Sequence, residues 1–298
     1  GGVADTDAGG HNGDEEEFVG APGEDPFKES WQEASADEIY GGEEESAAAS
    51  GLTLGRAEAP GRPPASAPAT RFERLAVRRS LLLFDGGLPA GDGLAGVLAF
   101  EFSSAGERLV VNCGISRHPK PDWRRALAAT AAHSTLTLAD ANAIDPPSGD
   151  VDPPQVQRQE TDGSIWLDAS HEGYRRRFGA IHRRRLFVDA SGDELRGEDA
   201  LVATSHHKAQ GAPLAVRFHL HPDVSVSMAQ SGAAALLKTA RGQGWRFIAN
   251  GGRIDIEDSV YFGEGGERRA NRQISINTNF SLADTRVKWA LVRADAHS

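Results

Sequence analysis

The sequence predicts an all-β chain: a large antiparallel two-layer β-sandwich preceded by a disordered acidic tail. Three observations predict it. Past residue 71 the apolar residues fall into short runs that are β-rich or alternate with period two. Turn-forming clusters punctuate those runs. The acidity, finally, is confined to the start of the chain, where residues 1–50 hold 15 Asp or Glu and a single Lys.

That first segment carries a net charge of −14 while the whole chain is −11, so residues 51–298 carry +3. Gly, Ala, Ser, Glu and Asp dominate it, with the charge runs Asp14-Glu15-Glu16-Glu17 and Glu43-Glu44-Glu45. Its apolar residues are too sparse to offset the entropy of ordering, which predicts disorder. A solvating role is favoured over that of an autoinhibitory polyanion mimic, since blocks of like charge are ordinarily solvated. Pro60 to Pro68 reads as a semi-extended linker. Residues 1–70 are therefore expected to be tail and linker, and 71–298 one β-sandwich domain.

Within the domain the expected strands run in order. They are Ser80 to Phe84, Val97 to Phe102, Arg108 to Val111, Ser134 to Leu138, Leu214 to His219, Val224 to Val226, Trp245 to Ile248, Gln273 to Ile276 and Val287 to Val292. Asp85-Gly86-Gly87, Ser104-Ala105-Gly106, Ala190-Ser191-Gly192, Asn250-Gly251-Gly252 and Glu264-Gly265-Gly266 supply the turns. One helix is expected over Asp122 to Ala131, with Asp122 as its cap and Pro121 just outside. Short strands joined by hairpin chemistry are the signature of an antiparallel sandwich.

Several function classes are excluded or weakened. Cys113 is the only cysteine, so no intramolecular disulfide can form. No segment approaches the ~18 consecutive apolar residues of a membrane helix. The sequence begins Gly1-Gly2 and Met228 is its only methionine, so the lack of an export signal says little. There is no Gly-x-Ser-x-Gly elbow, no phosphate-binding glycine loop and no Cys-x-x-Cys. A charge of +3 over residues 51–298 without a recognisable motif is a weak footprint for nucleic acid.

The most informative stretch is Trp123 to Leu136 (WRRALAATAAHSTL), a run of small residues ending in His133 at the mouth of a strand. It is followed by His171-Glu172-Gly173-Tyr174, by His182-Arg183-Arg184, and by Arg217-Phe218-His219-Leu220-His221-Pro222. Upstream lie Leu94 to Phe102 and Leu109 to Gly114. In this order and spacing the chain, over roughly 75–298, resembles the C-terminal domain of the heparinase II/III family of polysaccharide lyases. The resemblance implies a large two-layer β-sandwich and a periplasmic or cell-envelope location. It further implies an upstream α/α toroid supplying a tyrosine and a carboxylate-neutralising Asn or His; residues 1–70 are too short and polar to be that toroid.

The implied chemistry is β-elimination on an acidic glycan, either uronate-containing or sulfated. Such a step needs a neutralised carboxylate, a positioned base and an acid for the leaving oxygen. From the sandwich the resemblance implies a His-x-His-x-Asp sequence, whose first histidine is catalytic. The second, with a later Asp and the histidine of the Ala-His motif, holds a structural zinc. Here those positions read Asp92 for the catalytic histidine, Leu94, Gly96, and Asn112 for the later aspartate; only His133 remains. One imidazole with an amide and a leucine does not make the tetrahedral site zinc prefers, unless Cys113 or His118 turns inward. No cofactor is therefore expected, and a structural zinc is disfavoured. His133 is expected to bond backbone at a strand start.

The remaining candidates have two readings each. Tyr174 lines a glycan cleft or packs at a sheet edge. Six arginines stand within residues 175–185, and alternation along a strand would put Arg183 and Arg185 on one face with His182 and Arg184 on the other. Guanidinium forks suit carboxylates and sulfates, while the alternative is a solvated edge strand that deters aggregation. His219 and His221 share a strand face, but the later ligands of a cupin are missing. His206 and His207 fall in a polar turn. The expected partner is an anionic polysaccharide, bound through Arg183, Arg185, His182 and Tyr174. Two functions follow from the resemblance: a lyase incomplete in this chain, or a non-catalytic sandwich that binds or scaffolds a glycan.

Overall fold

A computed structural model describes residues 71–89, 94–115, 120–144, 151–204, 210–263, 266–281 and 285–294. The expected tail and linker, and Asp92, His118, His206 and His207, lie outside the described residues. Among the described residues sixteen strands form two eight-stranded sheets in which every pairing is antiparallel.

The first sheet contains β1 (Phe72–Val77), β2 (Ser80–Asp85), β3 (Phe100–Ser104), β4 (Glu107–Val111), β5 (Leu136–Leu138), β10 (Pro213–Leu220), β14 (Arg253–Tyr261) and β15 (Arg269–Asn279). Its order is β1-β2-β3-β4-β10-β15-β14, with β5 also paired to β10. The second sheet contains β6 (Gln155–Thr161), β7 (Ser164–His171), β8 (Ala180–Val188), β9 (Glu194–Ala203), β11 (Ser225–Ala229), β12 (Ala234–Lys238), β13 (Gly244–Asn250) and β16 (Thr285–Arg293). Its order is β11-β12-β13-β16-β9-β8-β7-β6.

The two layers meet through aromatic side chains. Phe100 of β3 stacks on Trp289 of β16 at 5.6 Å between centroids, and Phe218 of β10 meets the same indole edge-on at 4.8 Å. Strict alternation along β7 and β8, with every second residue buried, turns one face of each strand toward this core. The expected sandwich is thus the observed fold.

Three local expectations differ. The helix is α1 (Pro121–Ala128), with Pro121 in its first turn and Asp122 inside it rather than capping it; proline is pre-organised for that position. A 3-10 turn over Thr130–Ala132 follows, so His133 ends a turn and β5 begins only at Leu136. The expected strand from Val97 starts at Phe100, because Leu98 adopts φ 58° in a tight turn closed by Ala99 N–H donating to Gly96 O at 3.0 Å. A second short helix, α2 (Arg175–Phe178), joins β7 to β8.

Candidate functional site

His133 stands where the family resemblance implies a structural zinc. His133 is buried, and its Nδ1 donates to Ala129 O at 2.9 Å, while its N–H closes the 3-10 turn on Thr130 O at 3.0 Å. Its ring lies against Gly96: a Cβ at that position would sit 2.5 Å from His133 Cδ2. No side chain fits at 96 while the imidazole holds this place. Asn112 turns elsewhere, its Oδ1 accepting from Ser134 N at 2.8 Å and its Nδ2 donating to Glu101 Oε1 at 3.3 Å. An aspartate could not make the second bond, since an ionised carboxylate only accepts. Burial raises Glu101 above the usual carboxylate range, and the Asn112 bonds counter part of that.

Cys113 faces His219, Sγ to Nδ1 at 3.5 Å, rather than His133. Burial pushes its thiol up to about 11. His219 donates from Nε2 to Ala131 O at 3.0 Å, and its Nδ1 accepts from Ser259 Oγ at 2.8 Å. Burial lowers His219 to about 3, so it stays neutral and cannot draw a proton from the thiol near neutral pH. His221, two residues on, instead packs its ring edge-on against Tyr261 at 5.2 Å. Among the described residues no three His, Cys, Asp or Glu side chains come together to hold a metal. The described residues around His133 do not fit a zinc: Leu94 and Gly96 bring no ligand atom, and Asn112 and Cys113 turn to other partners.

The second set of candidates lies on β8. Its inward face carries His182 and Arg184, both fully buried. His182 Nε2 donates to Asp199 Oδ1 at 2.8 Å, and Trp289 Nε1 donates to Asp199 Oδ2 at 3.0 Å. The hydrogen bonds fix a single direction of donation. Gly173 N–H donates to His171 Nδ1 at 3.0 Å, and His171 Nε2 donates to His182 Nδ1 at 3.2 Å, ahead of the His182 bond to Asp199. Both imidazoles are then neutral. Burial first, then the electrostatic influence of His182 and Arg184, puts His171 well below its ordinary range; burial lowers His182 despite the opposing pull of Asp199. Burial alone would raise Asp199, but Arg184 and His182 hold it below the usual carboxylate range. Sequence reading missed this array. Its available signal was Glu198-Asp199 standing inside the apolar pattern of β9, where a buried carboxylate demands a partner.

Tyr174 is also buried, donating from its hydroxyl to Leu136 O at 3.0 Å. Gly173 before it passes so close to Ala143 that a Cβ would lie 2.2 Å from the carbonyl oxygen. Of the residues expected to meet a glycan, Tyr174 and His182 therefore point into the core, whereas Arg183 and Arg185 occupy the outer face of β8. There they converge on Asp168 of β7, Arg183 in a bidentate pair and Arg185 through Nε at 3.2 Å. Arg185 also approaches Glu198 at 3.8 Å.

Comparison with known proteins bears on what such a fold serves. The family described as Heparinase II/III-like, C-terminal, matches residues 59–290. FtsZ-localized protein C of Caulobacter vibrioides (strain NA1000 / CB15N) is 34% identical over 215 residues, covering 66% of this chain and 37% of that protein. Among solved structures, heparan sulfate lyase HepC from Pedobacter heparinus superposes with a TM-score of 0.64 at 12% identity, covering 78% of this chain and 37% of that one. A heparinase III gives 0.57 at 12% identity over 72% and 33%. At that identity the likeness is one of fold. The chain spans about a third of the length of each of these relatives.

Proposed function

The chain belongs to the heparinase II/III-like C-terminal family, and from that premise we propose that its sandwich holds an acidic, uronate-containing or sulfated polysaccharide without itself supplying the proton transfers of β-elimination. One observation carries this reading: β8 splits its chemistry between two faces. The arginines that suit carboxylates or sulfates, Arg183 and Arg185, lie outward, while His182 and the adjoining His171 and Tyr174 are sealed inside with their polar atoms committed. A buried imidazole bonded on both nitrogens reaches no substrate.

The test uses the protein with heparin, heparan sulfate, alginate and polygalacturonate. Retention in affinity gels cast with these glycans is expected, together with no rise in the ultraviolet absorbance of unsaturated uronate. Steady product formation would replace the reading with a lyase one, and absence of retention on all four would remove it.

A second reading is favoured by the 34% identity to the relative named FtsZ-localized protein C: the sandwich is a scaffold at the site of cell division. A fluorescent fusion that follows the FtsZ ring would support it, and a diffuse signal in dividing cells would count against it.

A further inference from the structure

The outer face of the second sheet carries more than the two arginines of β8, and the pairing register shows what stands beside them. Asp168, Arg185, Glu198 and Lys288 face one another across β7, β8, β9 and β16. Arg183 and Arg286 flank that row one pleat away. Glu198 lies under the cluster, 3.8 Å from Arg185, 3.5 Å from Arg286 and 4.0 Å from Lys288. Four cations thus surround two carboxylates, a surplus of two, where residues 51–298 as a whole carry only +3. The carboxylates beneath hold the guanidinium planes in place, so little side-chain freedom is left to lose on binding.

On the other side of the row stand Trp166 and Phe187, paired across β7 and β8 with ring centroids 4.4 Å apart at 42°. Both are half-buried. Two residues along a strand span about 7 Å, a step one pyranose ring can bridge. From this juxtaposition we infer that the face is a saccharide platform: sugar rings of a polyanionic glycan lie on Trp166 and Phe187 while their carboxylate or sulfate groups meet the Arg183, Arg185, Arg286 and Lys288 cluster. The inference rests on the glycan-binding reading above and assigns it an aromatic component. Charge alone would attract any polyanion, but sugar C–H faces and acidic groups together match an aromatic pair bordered by guanidinium groups.

The experiment titrates the protein with heparin and polygalacturonate, with dextran as the neutral control and duplex DNA as the competing polyanion. Tryptophan emission and gel retention are both read. The acidic glycans are expected to shift the emission, with no shift in the Trp166→Phe variant, which retains binding. Trp166→Ala, and separately the paired change Arg286→Gln with Lys288→Gln, should each weaken retention at least about fivefold, with melting temperatures reported alongside. If the wild-type chain binds glycan and these folded variants bind it equally well, the platform is wrong and the binding reading stands. If the wild-type chain binds neither glycan, both fall. Duplex DNA bound as tightly as heparin, with no loss in Trp166→Ala, would overturn the saccharide assignment.

Discussion

Arg184 and Asp199 form a two-point ion pair, Nε to Oδ1 at 2.8 Å and a terminal nitrogen to Oδ2 at 3.0 Å, with neither side chain exposed. The other terminal nitrogen donates to the carbonyls of Leu98 and Ser134, each at 2.8 Å. One side chain of the second sheet therefore grips two segments that lead into the first. Leu98 is the residue held at φ 58°, a conformation that costs a leucine roughly 1–2 kcal/mol. The guanidinium also lies over the Phe100 ring, 5.4 Å from its centroid. A buried pair of this kind contributes little net stability over apolar packing; its consequence is positional, fixing the turn that precedes β3.

The first prediction follows directly. Asp199→Ala leaves Arg184 buried with no counter-charge and strips His182 and Trp289 of their acceptor, so a loss of about 3–5 kcal/mol is expected in urea unfolding. The double change Arg184→Met with Asp199→Asn should cost clearly less than the sum of its two single changes. Additive losses would show that the two residues do not act as a unit.

That array also marks where sequence reading stops. The alternation of β8 was legible, because a period of two needs only neighbouring residues, and it placed Arg183 and Arg185 opposite His182 and Arg184. The partner was not legible: Arg184 meets Asp199 only through the β8 and β9 register, which the chain sets by packing. Gly173 could be read as a point of close approach without knowing that Ala143 was the neighbour. The start of β3 was misplaced because the left-handed Leu98 depends on Arg184 and Asp85 holding its backbone groups. Around His133, the substitutions Gly96 and Asn112 were visible, but the ring that fills the space above Gly96 was not.

Stability should fall as the solution is acidified below about pH 6.5. His171, His182 and His219 all have folded values below the ordinary 6.5. Below that pH the unfolded chain takes up protons that the folded chain refuses, so the stabilising contribution present above 6.5 is progressively lost. Each such histidine contributes up to about 1.4 kcal/mol per pH unit until its folded value is reached. Asp199, lowered from 3.8, adds to the loss only under strongly acid conditions. Glu101, raised from 4.5, acts in the opposite sense because its folded form holds a proton more readily. Urea midpoints at pH 7.5, 6.0 and 5.0 should decline in that order; a flat series would show that these imidazoles are not kept neutral.

Gly96→Asp restores the residue that the family resemblance implies, but it should not restore a metal site. The new Cβ meets the His133 ring at 2.5 Å, and forcing atoms into a packed site costs about 1–3 kcal/mol. Combining Gly96→Ala with His133→Ala should remove most of the clash of Gly96→Ala alone. A zinc-dependent rise in the melting temperature of Gly96→Asp would contradict the account of this position.

Cys113 is expected to resist thiol reagents in the folded protein. The residue is 3% exposed, its thiol is raised to about 11, and the neighbouring His219 is neutral. The thiolate is the reacting species, so labelling by iodoacetamide near neutral pH should become appreciable only in denaturant. Rapid modification of the native chain would mean that His219 activates the thiol after all.

Tyr174 separates a core role from a role at the glycan. Its hydroxyl bonds Leu136 O inside the sandwich, and its ring packs against His171 at 5.6 Å and Phe178 at 5.9 Å. Tyr174→Phe keeps the ring, deletes one buried bond and takes the hydroxyl donor from the Leu136 carbonyl, so a loss of about 1–3 kcal/mol is expected. Retention on heparin gels should be unchanged, since the residue is fully buried and stands on the opposite side of the sheet from Arg183 and Arg185. A stable Tyr174→Phe variant with weakened glycan retention would place the hydroxyl at the ligand and move the binding face toward the α2 turn.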